Sequence, residues 1–275
     1  MRRKLKEKKV QEKKEEIIFP FKNYDLYKNS NIGLRRKLNE DVAFYLKGKD
    51  FILLCVADGM GGSPKGDVAS ELAEDAIAAT FNEVRDEGVG SDANAEKVLR
   101  KAVRRANSSI HRLSSASDEY YGMGTTLVMA LILLDKTFIV NCGDSRAYSF
   151  HKKDLKLQQE TTDQTIIEYL YKLKAISEEE KEKSPHRHVL MNALGVSPSV
   201  TYQFLTLKND YDAILLCSDG LTNMVSANDI ARILEETEDE SARSAGSALI
   251  TAALLAGGLD NVSVCLAEVR KNESR

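Results

Sequence analysis

The apolar positions of this chain change period several times, and each change marks an element. Two short β-prone runs at 42–46 and 51–57, separated by a polar Gly-Lys-Asp turn, predict consecutive strands. From Asp67 the spacing becomes helical, with Val68, Leu72, Ala76, Ile77, Thr80 and Phe81 on one face. A second helix is predicted over 95–113 from Val98, Val103, Ala106, Ile110 and Leu113. Strand patterns return at 125–134, 137–142, 146–150 and 155–157. The charged stretch 161–196 predicts short helices around 166–173 and 177–183. Strands then follow at 201–207 and 213–217, helices at 227–236 and 241–256, and a closing strand at 261–269. Strands at both ends with paired helices between them predict an α+β class, helices lying on a largely antiparallel sheet system. The Lys/Arg/Glu-rich run at 1–16 has almost no apolar periodicity, and the charged arm it opens, 1–22, is expected to be solvated or a frayed helix.

Acidic residues recur where apolar runs end. Asp58 follows Phe-Ile-Leu-Leu-Cys-Val-Ala and opens a glycine-rich stretch with Gly59, Gly61 and Gly62. Asp219 follows Ala-Ile-Leu-Leu-Cys-Ser, Asp144 follows Phe-Ile-Val-Asn-Cys-Gly, and Asp260 precedes Val-Ser-Val-Cys-Leu. A further group, Asn39-Glu40-Asp41, precedes the first strand at 42–46. Taken singly, each is an ordinary Asp-Gly or Asp-Asn turn signal. Together they place carboxylates at the ends of several buried strands. Such groups are costly to bury unless something positive neutralises them. Oxygen-rich clusters of this kind suit hard divalent cations and metal-assisted phosphoryl chemistry. A glycine at 59 would let the backbone approach a ligand closely and offer a carbonyl to it. A guanidinium from the run Gly-Leu-Arg-Arg-Lys (33–37) would suit bidentate binding of a phosphate beside that cluster, and is otherwise one more solvated base.

Composition narrows the field. The chain has 275 residues, 43% apolar and 29% charged, with a net charge of −3. That balance gives no reason to expect nucleic acid or an anionic membrane as partner. No stretch approaches the roughly 20 apolar residues of a membrane span, and no secretory apolar segment is present near the start. The four cysteines, Cys55, Cys142, Cys217 and Cys265, lie far apart in apolar runs. They read as small buried hydrophobes in a reducing, cytoplasmic setting rather than as a zinc site.

The ordered motifs carry a resemblance. Gly-x-x-Arg-x-x-Asn-Glu-Asp (33–41), Val-Ala-Asp-Gly-Met-Gly-Gly (56–62), Met-Gly-Thr-Thr (123–126) and Gly-Asp-Ser-Arg-Ala-Tyr (143–148) come first. Thr-x-Asp (161–163), Asn-Ala-Leu-Gly (192–195), Ser-Asp-Gly-Leu (218–221) and Gly-Gly-x-Asp-Asn-x-Ser-Val (257–264) follow. In this order they resemble the metal-dependent protein phosphatases, the bacterial protein phosphatase 2C-like serine/threonine enzymes. The match runs over about residues 28–269.

The resemblance implies a four-layer α-β-β-α sandwich, a central antiparallel β-sandwich flanked by helix pairs, formed by one catalytic domain over 23–275. It implies two Mn²⁺ or Mg²⁺ ions in a cleft at one end. Asp58 would bridge both, the Gly59 carbonyl would bind one of them, and Asp219 and Asp260 would hold the second. Asp144 would help hold a third, weaker ion. Glu40 and Asp41 would act mainly through metal-bound water. Arg36 would grip the substrate phosphate, and residues 165–196 would form a mobile flap. A hydroxide bridging the metals would attack phosphoserine or phosphothreonine directly. No Gly-x-Ser-x-Gly or Cys–His pair offers a protein nucleophile, and neither Thr125 nor Thr126 has a base beside it. Phosphorylated proteins would be the partners, a cognate Ser/Thr kinase would make them, and the chain would act as a monomer.

The chain departs from common bacterial members at three positions. Ser63 and Gln164 stand where a His is usual, and Asn31 replaces an Asp. Met60 cannot donate a proton to a leaving group. His186 and His188 are expected in a plain surface loop of the flap. Two other readings stand beside the enzyme: a catalytically weak, phosphatase-like regulatory module that binds phosphoproteins, and a different metal phosphohydrolase such as a nuclease.

Overall fold

The protein is described here as a computed structural model covering residues 23–60, 65–237 and 241–270. The charged arm at 1–22 and the residues Gly61, Gly62 and Ser63 lie outside the described residues. In chain order the structure has β1 (Tyr24–Asn31), β2 (Asp41–Lys47), β3 (Ile52–Met60), α1 (Gly66–Asn82) and α2 (Asp92–Ala116). There follow β4 (Gly124–Thr125), β5 (Leu127–Ile132), β6 (Lys136–Cys142), β7 (Arg146–His151) and β8 (Lys156–Gln159). Then come α3 (Ile166–Lys172), α4 (Glu178–Lys183), β9 (Gln203–Lys208) and β10 (Ala213–Cys217). The chain closes with α5 (Asp219–Thr222), α6 (Ala227–Glu236), α7 (Ala242–Leu255) and β11 (Val262–Val269).

Two antiparallel sheets face each other. One has the order β1-β11-β10-β7-β8 and the other β2-β3-β5-β6-β9, with β4 paired to β3. Leu54, Val56, Val128, Ile139, Ile214, Leu216 and Cys265 fill the space between them. On the outer face of the second sheet, Leu53, Cys55, Leu127 and Met129 pack under Ala73, Ile77, Leu99 and Ala106 of α1 and α2. On the outer face of the first, Leu215, Cys217, Val264 and Leu266 pack under Ile230, Leu234, Leu249 and Ala253 of α6 and α7. The result is the expected α-β-β-α layering. It also explains why the runs at 51–57 and 213–217 carry no polar alternation: both faces of each strand are buried. Leu216→Ala is expected to cost about 2–5 kcal/mol, the usual range for opening a cavity in such a core. Chemical denaturation would read it as a lowered midpoint at unchanged m-value.

Several predicted boundaries shift. β1 has no counterpart among the strands the apolar pattern predicts. It is an edge strand whose residues are mostly half-buried, so it lacks a strong apolar signature. Its eight-residue pairing partner, β11, lies at the other end of the chain (Tyr24 opposite Val269). The strand expected to end at residue 57 runs on through Met60, because Gly59 and Met60 pair with Thr125 and Gly124. Asp58 is therefore a strand residue and does not open a loop. Gly124 is likewise a strand residue, and the left-handed residue before it is Gly122, with φ of 77°. The predicted strand 125–134 splits into β4 and β5, and the strand predicted at 155–157 forms at Lys156–Gln159 instead, since Leu155 takes φ of 52° in the preceding turn. Asp219 begins a short helix, α5.

Candidate metal centre

The acids that are far apart in sequence meet at one end of the sandwich. Asp41 at the start of β2 pairs directly with Asp58 near the end of β3. Asp144 lies in the tight β6–β7 turn, Asp219 follows β10, and Asp260 precedes β11. Asp58, Asp144, Asp219 and Asp260 line one cleft of about 780 Å³, with Gly59, Glu40 and Arg36 in the same walls. Asp41 lies beneath that cleft rather than on its surface, only 6% exposed. Every acid singled out in the sequence is thus in or directly under one site.

The backbone around Asp58 is held tightly. Its N–H donates to Thr126 Oγ1 at 3.0 Å, and its carbonyl accepts from Thr126 N at 2.8 Å and Thr125 Oγ1 at 2.9 Å. The two threonine hydroxyls are occupied as braces, Thr126 Oγ1 also lying 2.7 Å from Ser145 Oγ. Gly59 sits in a backbone cradle: a Cβ there would come within 2.1 Å of the Gly66 carbonyl oxygen. Asn261 is a second brace. Its side chain donates to the Ile32 and Leu38 carbonyls at 2.9 and 3.0 Å and accepts from Glu40 N at 2.9 Å.

The electrostatics of the site are those of crowded carboxylates. Burial first, then the charges of Asp41, Asp219, Asp144 and Asp260, hold the Asp58 carboxyl well above the usual range. Burial pushes Asp41 up to about 7; the nearby Ser218 and Ser263 hydroxyls offset this in part, and Asp219 and Asp260 add to it. Burial, with the charge of Asp219, takes Asp144 to about 7 as well. Asp219 goes the other way. Burial opposes its charge, but the His188 ring, 3.5 Å from Oδ2, and hydrogen bonds involving Asp58 and Asn223 hold it below the ordinary value. Asn223 Nδ2 donates to that same oxygen at 3.0 Å.

This donor set suits divalent cations. Neither Asp41 carboxylate oxygen has a hydrogen-bond partner although both are buried. Like charges directly opposite in a β-pair, as Asp41 and Asp58 are, destabilise a sheet. The available donors are all oxygen apart from one imidazole, the set expected for Mn²⁺ or Mg²⁺. Asp144, Asp219 and His188 each offer a ligand atom, all within 4.8 Å of one another.

Two expectations change. His188 is not in a plain surface loop: the flap segment carries it over Asp219. Nothing in the His186-Arg187-His188 stretch signals that contact, which depends on the flap folding back across the cleft. Arg36, expected at a phosphate, has an acid as its partner in this structure. Its Nη2 lies 2.7 Å from Asp260 Oδ2, while Asp260 Oδ1 accepts from Asn261 N at 2.8 Å. Opposite charges side by side at the mouth of an acidic cleft pair with each other.

The flap segment 165–196 contains α3 and α4; one bridge closes it on itself and a second ties it to β4. Thr165 pairs with Leu190, and Leu194 pairs with Thr125, next to the Asp58 braces. Gln164, standing where a His is usual, accepts from Gly143 N at 3.2 Å and Asn192 Nδ2 at 2.9 Å, and its Nε2 donates to the Asn141 carbonyl at 3.1 Å. It links the turn that carries Asp144 to the flap. Asn31 accepts from Gly33 N at 2.9 Å, which shapes the loop leading to Arg36.

The sequence matches the family model described as Protein phosphatase 2C over residues 35–254. The serine/threonine phosphatase stp of Listeria monocytogenes serovar 1/2a is 35% identical over 238 residues, 86% of this chain and 92% of that protein. The serine/threonine protein phosphatase PstP of Mycobacterium tuberculosis is 38% identical over 244 residues, 87% of this chain and 44% of that longer protein. The crystal structure of Stp1 from Staphylococcus aureus superposes with a TM-score of 0.84 at 30% identity, covering 92% of this chain and 98% of that one. The PstP catalytic domain in complex with two manganese ions gives a TM-score of 0.75 at 34% identity, covering 90% of this chain and 99% of that one. With its motifs, its layered sheets and its acid-lined cleft, this chain belongs to the protein phosphatase 2C family.

Proposed function

We propose that this protein is a metal-dependent phosphatase that hydrolyses phosphoserine and phosphothreonine in proteins. The observation that carries this is the convergence of Asp58, Asp144, Asp219 and Asp260 in one cleft, over a buried Asp41 with unpartnered oxygens. Asp58, the Gly59 carbonyl, Asp219 and Asp260 would hold two Mn²⁺ or Mg²⁺ ions, Asp144 would help to hold a weaker third, and Asp41 would act from beneath. Such ions, when bound, supply Lewis acidity that activates water and neutralises phosphoryl charge.

The chain's own residues then supply position. Thr125 and Thr126 fix the Asp58 backbone, and Asn223 fixes the Asp219 carboxylate, so the acids are preorganised. Arg36, once released from Asp260, would bind phosphoryl oxygens through its planar fork. Direct attack by water needs no protein nucleophile, and the hydroxyls of Thr125 and Thr126 are already engaged as braces. The reading extends to a cytoplasmic monomer opposing a Ser/Thr kinase, the enzyme class that makes its substrates. The four cysteines, all free and buried, are in keeping with a reducing compartment. Among the described residues, no helix is long and apolar enough to cross a membrane.

The test is hydrolysis of p-nitrophenyl phosphate and a phosphothreonine peptide with and without Mn²⁺. Turnover that depends on the metal is expected; phosphopeptide binding without turnover would instead mark a regulatory binding module. Arg36→Ala is expected to raise KM roughly tenfold while changing kcat less, as loss of a charged hydrogen bond to substrate would. An unchanged KM would remove Arg36 from phosphate binding.

A further inference from the structure

The wall of the cleft that carries Arg36 sets apolar side chains among bases, Arg36 and Lys37, and is held firmly. Leu34 and Leu38 flank Arg36 at two residues on either side, and they are 63% and 41% exposed. Leu259, beside Asp260, is 55% exposed, and it lines the cleft together with Leu38 and Arg36. Large apolar side chains standing in water beside a reaction cleft ask for an occupant.

Their exposure does not come from a slack loop. Leu34 N donates to the Gly258 carbonyl at 2.8 Å. The Leu38 carbonyl accepts from Asn261 at 3.0 Å, and Arg36 and Asp260 form the ion pair described above. Gly33 is fixed by close approach: a Cβ there would fall 2.1 Å from the Asp260 carbonyl oxygen. Two chain segments more than two hundred residues apart are thus stapled into one surface. Its apolar side chains are held out at the cleft's edge at little further entropic cost on binding.

We infer that this wall selects phosphoproteins in which the phosphorylated residue has a large apolar neighbour, whose side chain packs against Leu38 and Leu259 with Leu34 at the margin. The inference rests on the phosphatase reading and refines it to a substrate class. It follows from continuity. A residue next to a phosphate held in the cleft lies about 3.5 Å further along an extended peptide. Leu38 and Leu259 line the same cleft as Arg36 and the acids, so a neighbouring residue of a bound peptide meets them.

The test uses the full chain loaded with Mn²⁺ and two phosphothreonine peptides, one with Leu on both sides of the phosphorylated residue and one with Ser on both sides. The ratio of kcat/KM for the two is measured on the same enzyme preparation, so any general loss of activity cancels. The native protein should prefer the Leu peptide about tenfold, the lower end of what a small apolar site discriminates. The double variant Leu38→Ser/Leu259→Ser should bring the ratio close to one, and circular dichroism would report whether it is folded. Leu38→Met/Leu259→Met, which keeps the apolar surface, should retain the preference. A native ratio near one would overturn the inference, as would a preference that survives the double Ser substitution. If p-nitrophenyl phosphate and both peptides all resist Mn²⁺-dependent turnover, the phosphatase reading itself fails and the inference with it.

Discussion

Asp219→Ala is expected to lower Mn²⁺-dependent hydrolysis of p-nitrophenyl phosphate by at least about 10³-fold in kcat/KM, the scale on which loss of a principal charge-stabilising group acts. The same holds for Asp58→Ala. Both carboxylates face the cleft, and neither contributes apolar packing, so the sandwich should survive. Replacing Asp219 also removes the partner of His188 and Asn223, which are left without their shared acceptor. Isothermal titration with Mn²⁺ should show weakened binding for either variant, while circular dichroism stays native. A variant with substantial turnover would remove its residue from the centre.

Stripping divalent ions with a chelator is expected to abolish activity and to lower the thermal midpoint. A ligand present at one hundred times its dissociation constant stabilises by about 2.7 kcal/mol. For a chain of this size that is a shift of roughly 5–10 °C, read by scanning calorimetry. The metal-free protein should also show a distinctive pH dependence. The carboxyls of Asp41 and Asp144 are raised to about 7 in the fold, and that of Asp58 is held well above the usual carboxylate range. An acid whose folded pKa lies above its unfolded value contributes stability below the unfolded pKa and loses it as pH rises through the folded pKa. The metal-free form should therefore melt higher at pH 5 than at pH 8, with the loss from Asp41 and Asp144 running from about pH 4 and complete a little above pH 7. A metal-free midpoint that instead rises over that interval would contradict the burial of these acids without compensation.

Much of the architecture was legible because its signals are local. The apolar runs that become β3 and β10 have no polar alternation, and the structure buries both of their faces. The helices α1 and α2 follow directly from 3.6-residue spacing, and the strand-end acids converge as expected. What the sequence hid is non-local. β1 is visible only through its pairing with β11, since its own residues are half-exposed and polar in part. The extension of β3 past Asp58 depends on Gly124 and Thr125 arriving beside it. The approach of His188 to Asp219 depends on where the flap lies. The ion pair between Arg36 and Asp260 likewise joins residues whose separate roles could be guessed but whose contact could not. Gln164 shows a related limit. Its departure from the usual His was plain, but only the structure reveals that its amide binds the Asp144 turn to the flap.

The placement of β11 has a consequence for synthesis. This strand lies between β1 and β10 and follows immediately on Asp260 and Asn261. A nascent chain can emerge from the ribosome through residue 261 with every one of these acids already translated, and still lack the strand that brings the two ends of the first sheet together. Catalytic competence should therefore appear only once β11 is free to pair, and a truncation after Asn261 should be inert despite carrying the whole set of site residues.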